Sequence, residues 1–375
     1  MPGKRTEFLY LSEPDVIEAG VLDVKRCVDV AEETFVLLSE GDYLMGGPNH
    51  NSHGMGIIFP KETKFPNMPV AGPDRRFFAM PAYLGGRYDV CGVKWYGSNH
   101  ANMAKGLPRS VLTVQLNDKD TGEPLCLMSA NLLSAARTGA VPGVATRYLV
   151  RKDATTVSAI GCGPIGRACL QAIHSQAPWL KKLSCIALHE ESAGAFAGWA
   201  EKELGIEAVA ARSHEECVRA GDVISVAASR AKPLLLDSAW LRRGATVLFS
   251  GPASADDAFW TGGRIVYDHI GLHESYVEEA IASGNKAGYY AGVIGGPIYT
   301  LIDAGKIPPL ASSAGLGDIV RGKAPGRAND GEIILFISCG MPVFDVSFGY
   351  DLWQNALKKN LGTRLLLWDK PHMVK

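Results

Sequence analysis

Charge of one sign is what this 375-residue chain has least of: 38 Lys and Arg stand against 39 Asp and Glu, a formal net charge of −1. A protein that works on DNA or RNA phosphates carries a basic excess or stripe, so no nucleic-acid partner is expected. No apolar stretch approaches the roughly 20 residues that cross a bilayer, so no membrane partner is expected either. The opening MPGKRTEFLYLSEPDV breaks into Glu7, Glu13, Pro14 and Asp15 where a secretory leader needs an unbroken apolar run. Cysteine is present at eight scattered positions without a CxxC pair, which argues against a disulfide frame or a zinc site, and no metal is expected. Internal repeats and low-complexity tracts are lacking too. What is there is 47% hydrophobic residues, enough to build a core and to exclude wholesale disorder. The length fits two domains at roughly 100–200 residues each, and the expected class is a soluble cytoplasmic globular protein.

The middle of the chain alternates apolar strand-like runs with helical patterns. TTVSAI (155–160), LSCIAL (183–188), DVISVA (222–227), TVLFS (246–250) and RIVY (264–267) are the clearest strands, with helices between them near 164–174, 193–204 and 214–220. Such alternation predicts a parallel sheet covered on both faces. Before it, SVLTVQL (110–116), the turn-rich NDKDTG (117–122) and PLCLM (124–128) predict an antiparallel pair in an α+β segment. After it come EIILFIS (332–338) and an amphipathic helix near 350–359, too little to fold alone, so they are expected to pack on the first segment. The division predicted is 134–324 for a Rossmann-type doubly wound domain, and 1–133 with 325–375 for an α+β substrate and dimerisation domain.

The sharpest local signal is Gly161-Cys162-Gly163-Pro164-Ile165-Gly166, directly after a strand and opening a helix. Gly161 permits the tight turn, Gly163 removes the Cβ that would block a pyrophosphate, and Gly166 lets helix and strand approach. Pro164 suits the first helical turn. The free N–H groups and positive end of the helix then face phosphate. Glu190, past the next strand, is the acid expected on the adenosine ribose, with Glu191 as its neighbour. A carboxylate there repels a 2′-phosphate, so NAD is expected rather than NADP.

Three further clusters stand out. Gly92-Val93-Lys94-Trp95-Tyr96-Gly97 sets one lysine in an apolar strand, where it serves acid–base work or lies at a strand edge in water. Ser134-Ala135-Ala136-Arg137-Thr138-Gly139-Ala140 presents one arginine among small residues, either as a fork for a carboxylate or the cofactor or as a structural ion pair. Leu316–Arg327, LGDIVRGKAPGR, is a functional loop or only a solvated turn.

These pieces occur in a recognisable order: Lys94-Trp95, Asn102 with Gly106-Leu107-Pro108, Asp118 with Thr121-Gly122, Leu133 with Arg137-Thr138-Gly139-Ala140, the glycine loop, and LGDIVRGKAPGR. The series resembles the ornithine cyclodeaminase/mu-crystallin family from about Met80 onward. The resemblance implies a homodimer and a small amine, imine or amino-acid substrate. It makes Lys94 the substrate-contacting lysine, Arg137 the arginine near substrate and nicotinamide, and Met80-Pro81 a pocket-lining pair. Thr138, Ser229, Ser250 and Gly251 are expected on the cofactor side.

Two departures matter. Where cyclodeaminases carry a catalytic Asp after Gly251 this chain has Pro252, and acids return at Asp256 and Asp257, of which Asp256 is the candidate. Where many members carry a carboxylate-binding Arg upstream of Met80, this chain has GGPNHNSH (46–53), leaving Asn49 or His50, with Arg75 and Arg76 as substitutes. The leading expectation is therefore an NAD-dependent oxidoreductase acting on a C–N bond. The alternatives are a redox-neutral cyclodeaminase that releases ammonia, and a crystallin-like protein that binds nicotinamide cofactor and a small ligand without turnover.

Overall fold

The computed structural model describes residues 4–228 and 234–373 and divides the chain into two units. The first takes Met1–Asp23, Gly41–Ser134 and Met341–Lys375; the second takes Val24–Glu40 and Ala135–Gly340.

In the first unit β-rich runs broken by turn residues form β1 (Thr6–Leu11), β2 (Tyr43–Met45), β3 (Met55–Ile58), β4 (Arg76–Leu84), β5 (Val90–Ser98), β6 (Ser110–Asn117) and β7 (Pro124–Ser129). With a C-terminal strand, Thr363–Trp368, they make one sheet ordered C-terminal strand–β1–β7–β6–β5–β4–β2, and β3 pairs with β4. The register sets Met80 opposite Lys94, Phe78 opposite Tyr96 and Phe77 opposite Gly97. Because side chains alternate along a strand, Val90, Gly92 and Lys94 are buried on one face while Trp95 is exposed on the other. The buried face is covered by a C-terminal helix, Pro342–Lys359, in which every residue from Pro342 to Gly349 is buried. The approach is close: a Cβ at Gly92 would lie 3.0 Å from Val346.

The second unit holds β8 (Thr156–Ile160), β9 (Lys182–Ile186), β10 (Glu207–Ala210), β11 (Val223–Val226), β12 (Leu234–Leu236), β13 (Thr246–Phe249), β14 (Ala253–Ala255), β15 (Arg264–Tyr267), β16 (Ala314–Gly315) and β17 (Ile334–Ile337). Its sheet is parallel throughout, ordered β10-β9-β8-β11-β13-β17-β15-β16, with β12 and β14 as a separate pair. Around it run α1 (Val24–Glu40), α2 (Asn131–Leu149), α3 (Pro164–Gln176), α4 (Glu190–Leu204), α5 (Ile270–Ala282) and α6 (Gly296–Asp303). The strand order reverses between β8 and β11, the switch point at which doubly wound sheets bind ligands beyond their carboxyl ends. The α/β class expected from the sequence is the one found.

Two expected divisions are corrected. Residues 325–340 do not join the terminal segments, because β17 lies between β13 and β15. Its four residues are all buried, a continuous apolar run of the kind that fills a parallel sheet from both sides. The early helix α1 also belongs to the second unit. Arg147 of α2 donates to Asp29 and Glu32 of α1, both at 2.6 Å, and Val28 lies where a Cβ on Gly143 would sit, 2.8 Å away. The C-terminal helix starts at Pro342 rather than near Tyr350, with proline in its first turn, where a missing N–H costs nothing.

Candidate active site

Among the described residues, two groups of sequence-predicted residues come together, one in each unit. In the second unit the glycine turn joins β8 to α3. Gly161 has φ +104°, a left-handed conformation, and a Cβ on it would lie 2.7 Å from the Ala228 nitrogen beyond β11. Gly166 faces the Gly161 carbonyl so closely that a Cβ would sit 2.0 Å from that oxygen. Gly163 differs from both. It is the N-cap of α3, no atom lies within 4 Å of a Cβ built on it, and Pro164 follows in the first turn. The first and third glycines thus close the turn, while the second keeps open the space in front of unused helix N–H groups. Ile165 is half-buried in the same first turn. A dinucleotide's diphosphate fits this cradle. Hydrogen bonding to Cys185, and then burial, hold the Cys162 thiol far above its ordinary pKa, so it adds no negative charge beside the turn.

Arg137 lies on α2, only 7% exposed, with Thr138 after it. Gly139 follows because α2 meets α3 backbone to backbone: a Cβ there would lie 2.4 Å from the Ala168 carbonyl carbon. The glycine two residues after Arg137 thus lets α2 and α3 meet backbone to backbone. Ser250 accepts a weak contact from the Cys169 thiol at 3.8 Å, and Gly251 has the Ala228 oxygen 2.8 Å from where its Cβ would be. Ser229 lies outside the described residues.

In the first unit Lys94 is 2% exposed, and its Nζ is 2.8 Å from Oδ2 of Asp345, itself fully buried on the C-terminal helix. Lys94 Nζ also stands 5.5 Å from the centroid of the Tyr96 ring. Two opposite charges withdrawn from water in this way hold each other at a fixed atom-to-atom distance. Of the readings open for Lys94, the water-exposed strand edge is excluded by its burial. Met80, directly opposite, is 1% exposed. Asp345 was not among the residues singled out from the sequence. Its signal is one acid inside the apolar run PVFDVSF, legible once the helix is begun at Pro342.

The other candidates have neighbours of their own. Asp256 caps the short helix Asp257–Thr261: Oδ1 accepts the Phe259 N–H at 3.0 Å and Oδ2 the Ser238 hydroxyl at 2.9 Å. A carboxylate so engaged on both oxygens serves as a helix cap, a structural task for the residue expected to be catalytic. Asp257 pairs with Lys306, and Pro252 is exposed. Asn49 accepts the Asn51 N–H through its side chain, and His50 is an exposed turn residue with φ +58°, so neither is built as a carboxylate clamp. Arg76 shares the Lys94 face of β4, 3.1 Å from Asp74 and 5.3 Å from the Phe78 ring. Glu190 begins α4, while β9 ends at Ile186, so the strand tip itself carries Ala187 and Leu188. In LGDIVRGKAPGR, Gly317 abuts the Phe35 carbonyl of α1 and Asp318 accepts from Ser39 at 2.6 Å. Arg327 donates to the Leu149 carbonyl at 2.9 Å. The loop is a latch within the second unit.

With this geometry in hand, comparison with known proteins is specific. The model of the ornithine cyclodeaminase/mu-crystallin family matches residues 21–360. The chain is 28% identical over 368 residues to the N-((2S)-2-amino-2-carboxyethyl)-L-glutamate dehydrogenase of Staphylococcus aureus, covering 96% of this chain and 99% of that protein. Among solved structures it is similar to the Delta(1)-pyrroline-2-carboxylate reductase of Thermococcus litoralis in complex with NADH and L-proline, at 26% identity and a TM-score of 0.76, over 95% of this chain and 99% of that one. It is also similar to an archaeal alanine dehydrogenase dimer with bound NAD, at 25% identity and a TM-score of 0.75, over 97% and 100% of the two chains.

Proposed function

The chain belongs to the ornithine cyclodeaminase/mu-crystallin family, and on that premise we propose that it is an NAD-dependent oxidoreductase acting at a C–N bond. It reduces an imine or oxidises an amine or amino acid, in keeping with the dehydrogenases and the reductase to which it is similar. The observation that carries the reading is the buried Lys94–Asp345 pair. An ammonium held at 2.8 Å by a carboxylate, out of water, is a proton store of fixed position, which suits exchange with a substrate nitrogen.

Bound NAD supplies the hydride acceptor or, when reduced, the donor. Gly161, Gly163, Pro164, Ile165 and Gly166 are assigned to its diphosphate, and Arg137, Thr138, Ser250 and Gly251 to the remainder. Lys94 gives a proton to the nitrogen during reduction and takes one back during oxidation. Asp345 keeps the ammonium in place through both directions. Arg137 offers its planar fork to a carboxylate or a carboxamide, and Met80 supplies an apolar wall across from Lys94. Arg76 is the cation proposed for a second carboxylate, taking the place that Asn49 and His50 do not fill.

Incubating the protein with NAD or NADH and a panel of amines, amino acids and keto-acid/amine mixtures tests the reaction. Nicotinamide absorbance that changes with substrate supports it. Ammonia accumulating while absorbance stays flat replaces it with cyclodeamination, and no change in either replaces it with ligand binding. Cofactor choice is tested by Glu190→Arg, which removes a negative charge and adds a positive one at the start of α4. The expected outcome is a drop of about tenfold in the NAD-over-NADP affinity ratio. An unchanged ratio in fluorescence titrations removes Glu190 from the ribose.

The active form is proposed to be a homodimer. The sheet face opposite Lys94 exposes Ile57, Phe77, Trp95 and Val111, with Phe77 stacked on Trp95 at 5.7 Å. Phe77, Trp95 and Val111 border a concavity of about 550 Å³. A continuous apolar face of this kind is the usual mark of a partner surface. Trp95→Glu, a charge at its centre, is expected to give monomers in light scattering; a dimer of unaltered affinity moves the interface elsewhere.

A further inference from the structure

At the carboxyl ends of β15 and β17 lies a row of buried polar groups to which the proposed reaction assigns no part. Asp268 follows β15, and its backbone N–H donates to the Ile337 carbonyl of β17 at 2.9 Å. Its Oδ2 accepts the Cys339 N–H at 2.7 Å. Its Oδ1 accepts the His269 N–H and faces His273 Nε2, each at 2.8 Å. His273 Nδ1 is 2.5 Å from the Tyr299 hydroxyl. In the neutral ring Nε2 donates to the carboxylate, which leaves Nδ1 to accept the hydroxyl hydrogen. Asp268, His273 and Tyr299 are each 1% exposed or less, so water replaces none of these bonds. The Tyr267 ring, 4.5 Å from that of His273, closes one side.

What this row grips is the two-residue exit from β17. Asp268 holds Cys339 by its backbone, and Gly340 follows with φ +75°. A Cβ on Gly340 would lie 2.7 Å from Arg137 Nη1, so the guanidinium rests directly against a backbone whose place the carboxylate sets.

We infer that Asp268, His273 and Tyr299 form a positioning relay for Arg137: they fix the Cys339–Gly340 turn and thereby the direction in which the arginine fork points. The relay rests on the assignment of Arg137 to cofactor or substrate. Its members touch neither, and they act through the turn. The physical point is leverage, because a fork displaced by about 1 Å loses both of its parallel hydrogen bonds.

The test is a double-mutant cycle in the full chain. His273→Leu and His273→Gln are made alone and with Arg137→Ala, and NADH affinity, kcat, KM and melting temperature are measured. His273→Leu is expected to lower kcat about tenfold or more, and NADH affinity severalfold. His273→Gln, which keeps an N–H near the place of Nε2, recovers most of both. In the Arg137→Ala background the same His273→Leu change costs less than about twofold, because its target is gone. Equal losses in both backgrounds overturn the relay. So does a lower melting temperature with kcat and NADH affinity unchanged, which marks the row as packing alone. If Arg137→Ala by itself alters neither affinity nor turnover, the assignment of Arg137 falls and the relay with it, while the Lys94 variants still judge the reaction. Should His273→Leu not fold, Tyr299→Phe, which removes one hydroxyl, repeats the cycle at smaller amplitude.

Discussion

Lys94→Met is expected to lower kcat by about 10²–10⁴-fold while NADH still binds within about twofold of wild type. The first half follows from losing the group proposed to exchange a proton with substrate nitrogen, the second from the glycine turn proposed for the cofactor belonging to the other unit. The same variant also leaves Asp345 fully buried opposite an apolar side chain, and stranding one member of a buried ion pair costs about 3–5 kcal/mol. Loss of activity and loss of folding must therefore be separated. The double variant Lys94→Met/Asp345→Leu does this, because replacing both charges by apolar groups of similar volume is about neutral for stability. It is expected to regain the melting temperature of the parent and none of its turnover. Activity that returns along with stability would make the pair a structural feature and remove Lys94 from the chemistry. Asp345→Asn completes the series: the lysine keeps a hydrogen-bond partner but loses its counter-charge, and kcat should fall with a changed pH profile.

The second large effect belongs to the glycine turn, where two glycines should fail in different ways. Gly166→Ala puts a carbon 2.0 Å from the Gly161 oxygen, so α3 must retreat from β8; cofactor affinity and thermal stability are both expected to fall. Gly163→Val meets no protein atom within 4 Å of its Cβ, so the fold should persist. The added methyls stand in the space kept for phosphate, and NADH affinity should fall about a hundredfold or more at nearly constant melting temperature. Gly194, on α4 with equally open space around its Cβ, is the control: Gly194→Ala should change cofactor affinity little and raise stability by about 0.5–1 kcal/mol. A Gly163→Val protein that binds NADH normally would place the diphosphate elsewhere.

The glycine turn was legible as a turn because its information is local: a buried strand, three glycines at fixed spacing and a helix start lie within a dozen residues. Lys94 was legible as a lone charge in an apolar strand, and the register that sets Met80 against it agrees with the ordered motifs. Its partner was not, because Asp345 approaches from a helix far along the chain and the periodicity suggested a later helix start. The neighbours of β17 are hidden from its sequence for a related reason. Four apolar residues announce a buried strand without saying in which sheet, and insertion between β13 and β15 is a long-range decision. Asp256 looked like a displaced catalytic acid because spacing alone cannot tell a helix cap from a proton carrier. The Asp268–His273–Tyr299 relay left no mark at all: DHIGLHES reads as an ordinary helix entry until Cys339 and Tyr299 are brought beside it.

The pairing of Lys94 with Asp345 also bears on the order in which the molecule is made. A ribosome delivers the strand carrying the lysine before every strand of the parallel sheet, and the helix carrying the aspartate after all of them. Until then the nascent β4–β5 hairpin has neither the cover for its apolar side nor the counter-ion for its ammonium, and must wait with both in contact with water or a chaperone. The Lys94–Asp345 pair thus forms only after the glycine turn has been made, so an unfinished chain can hold that turn complete and still lack the pair proposed for proton exchange.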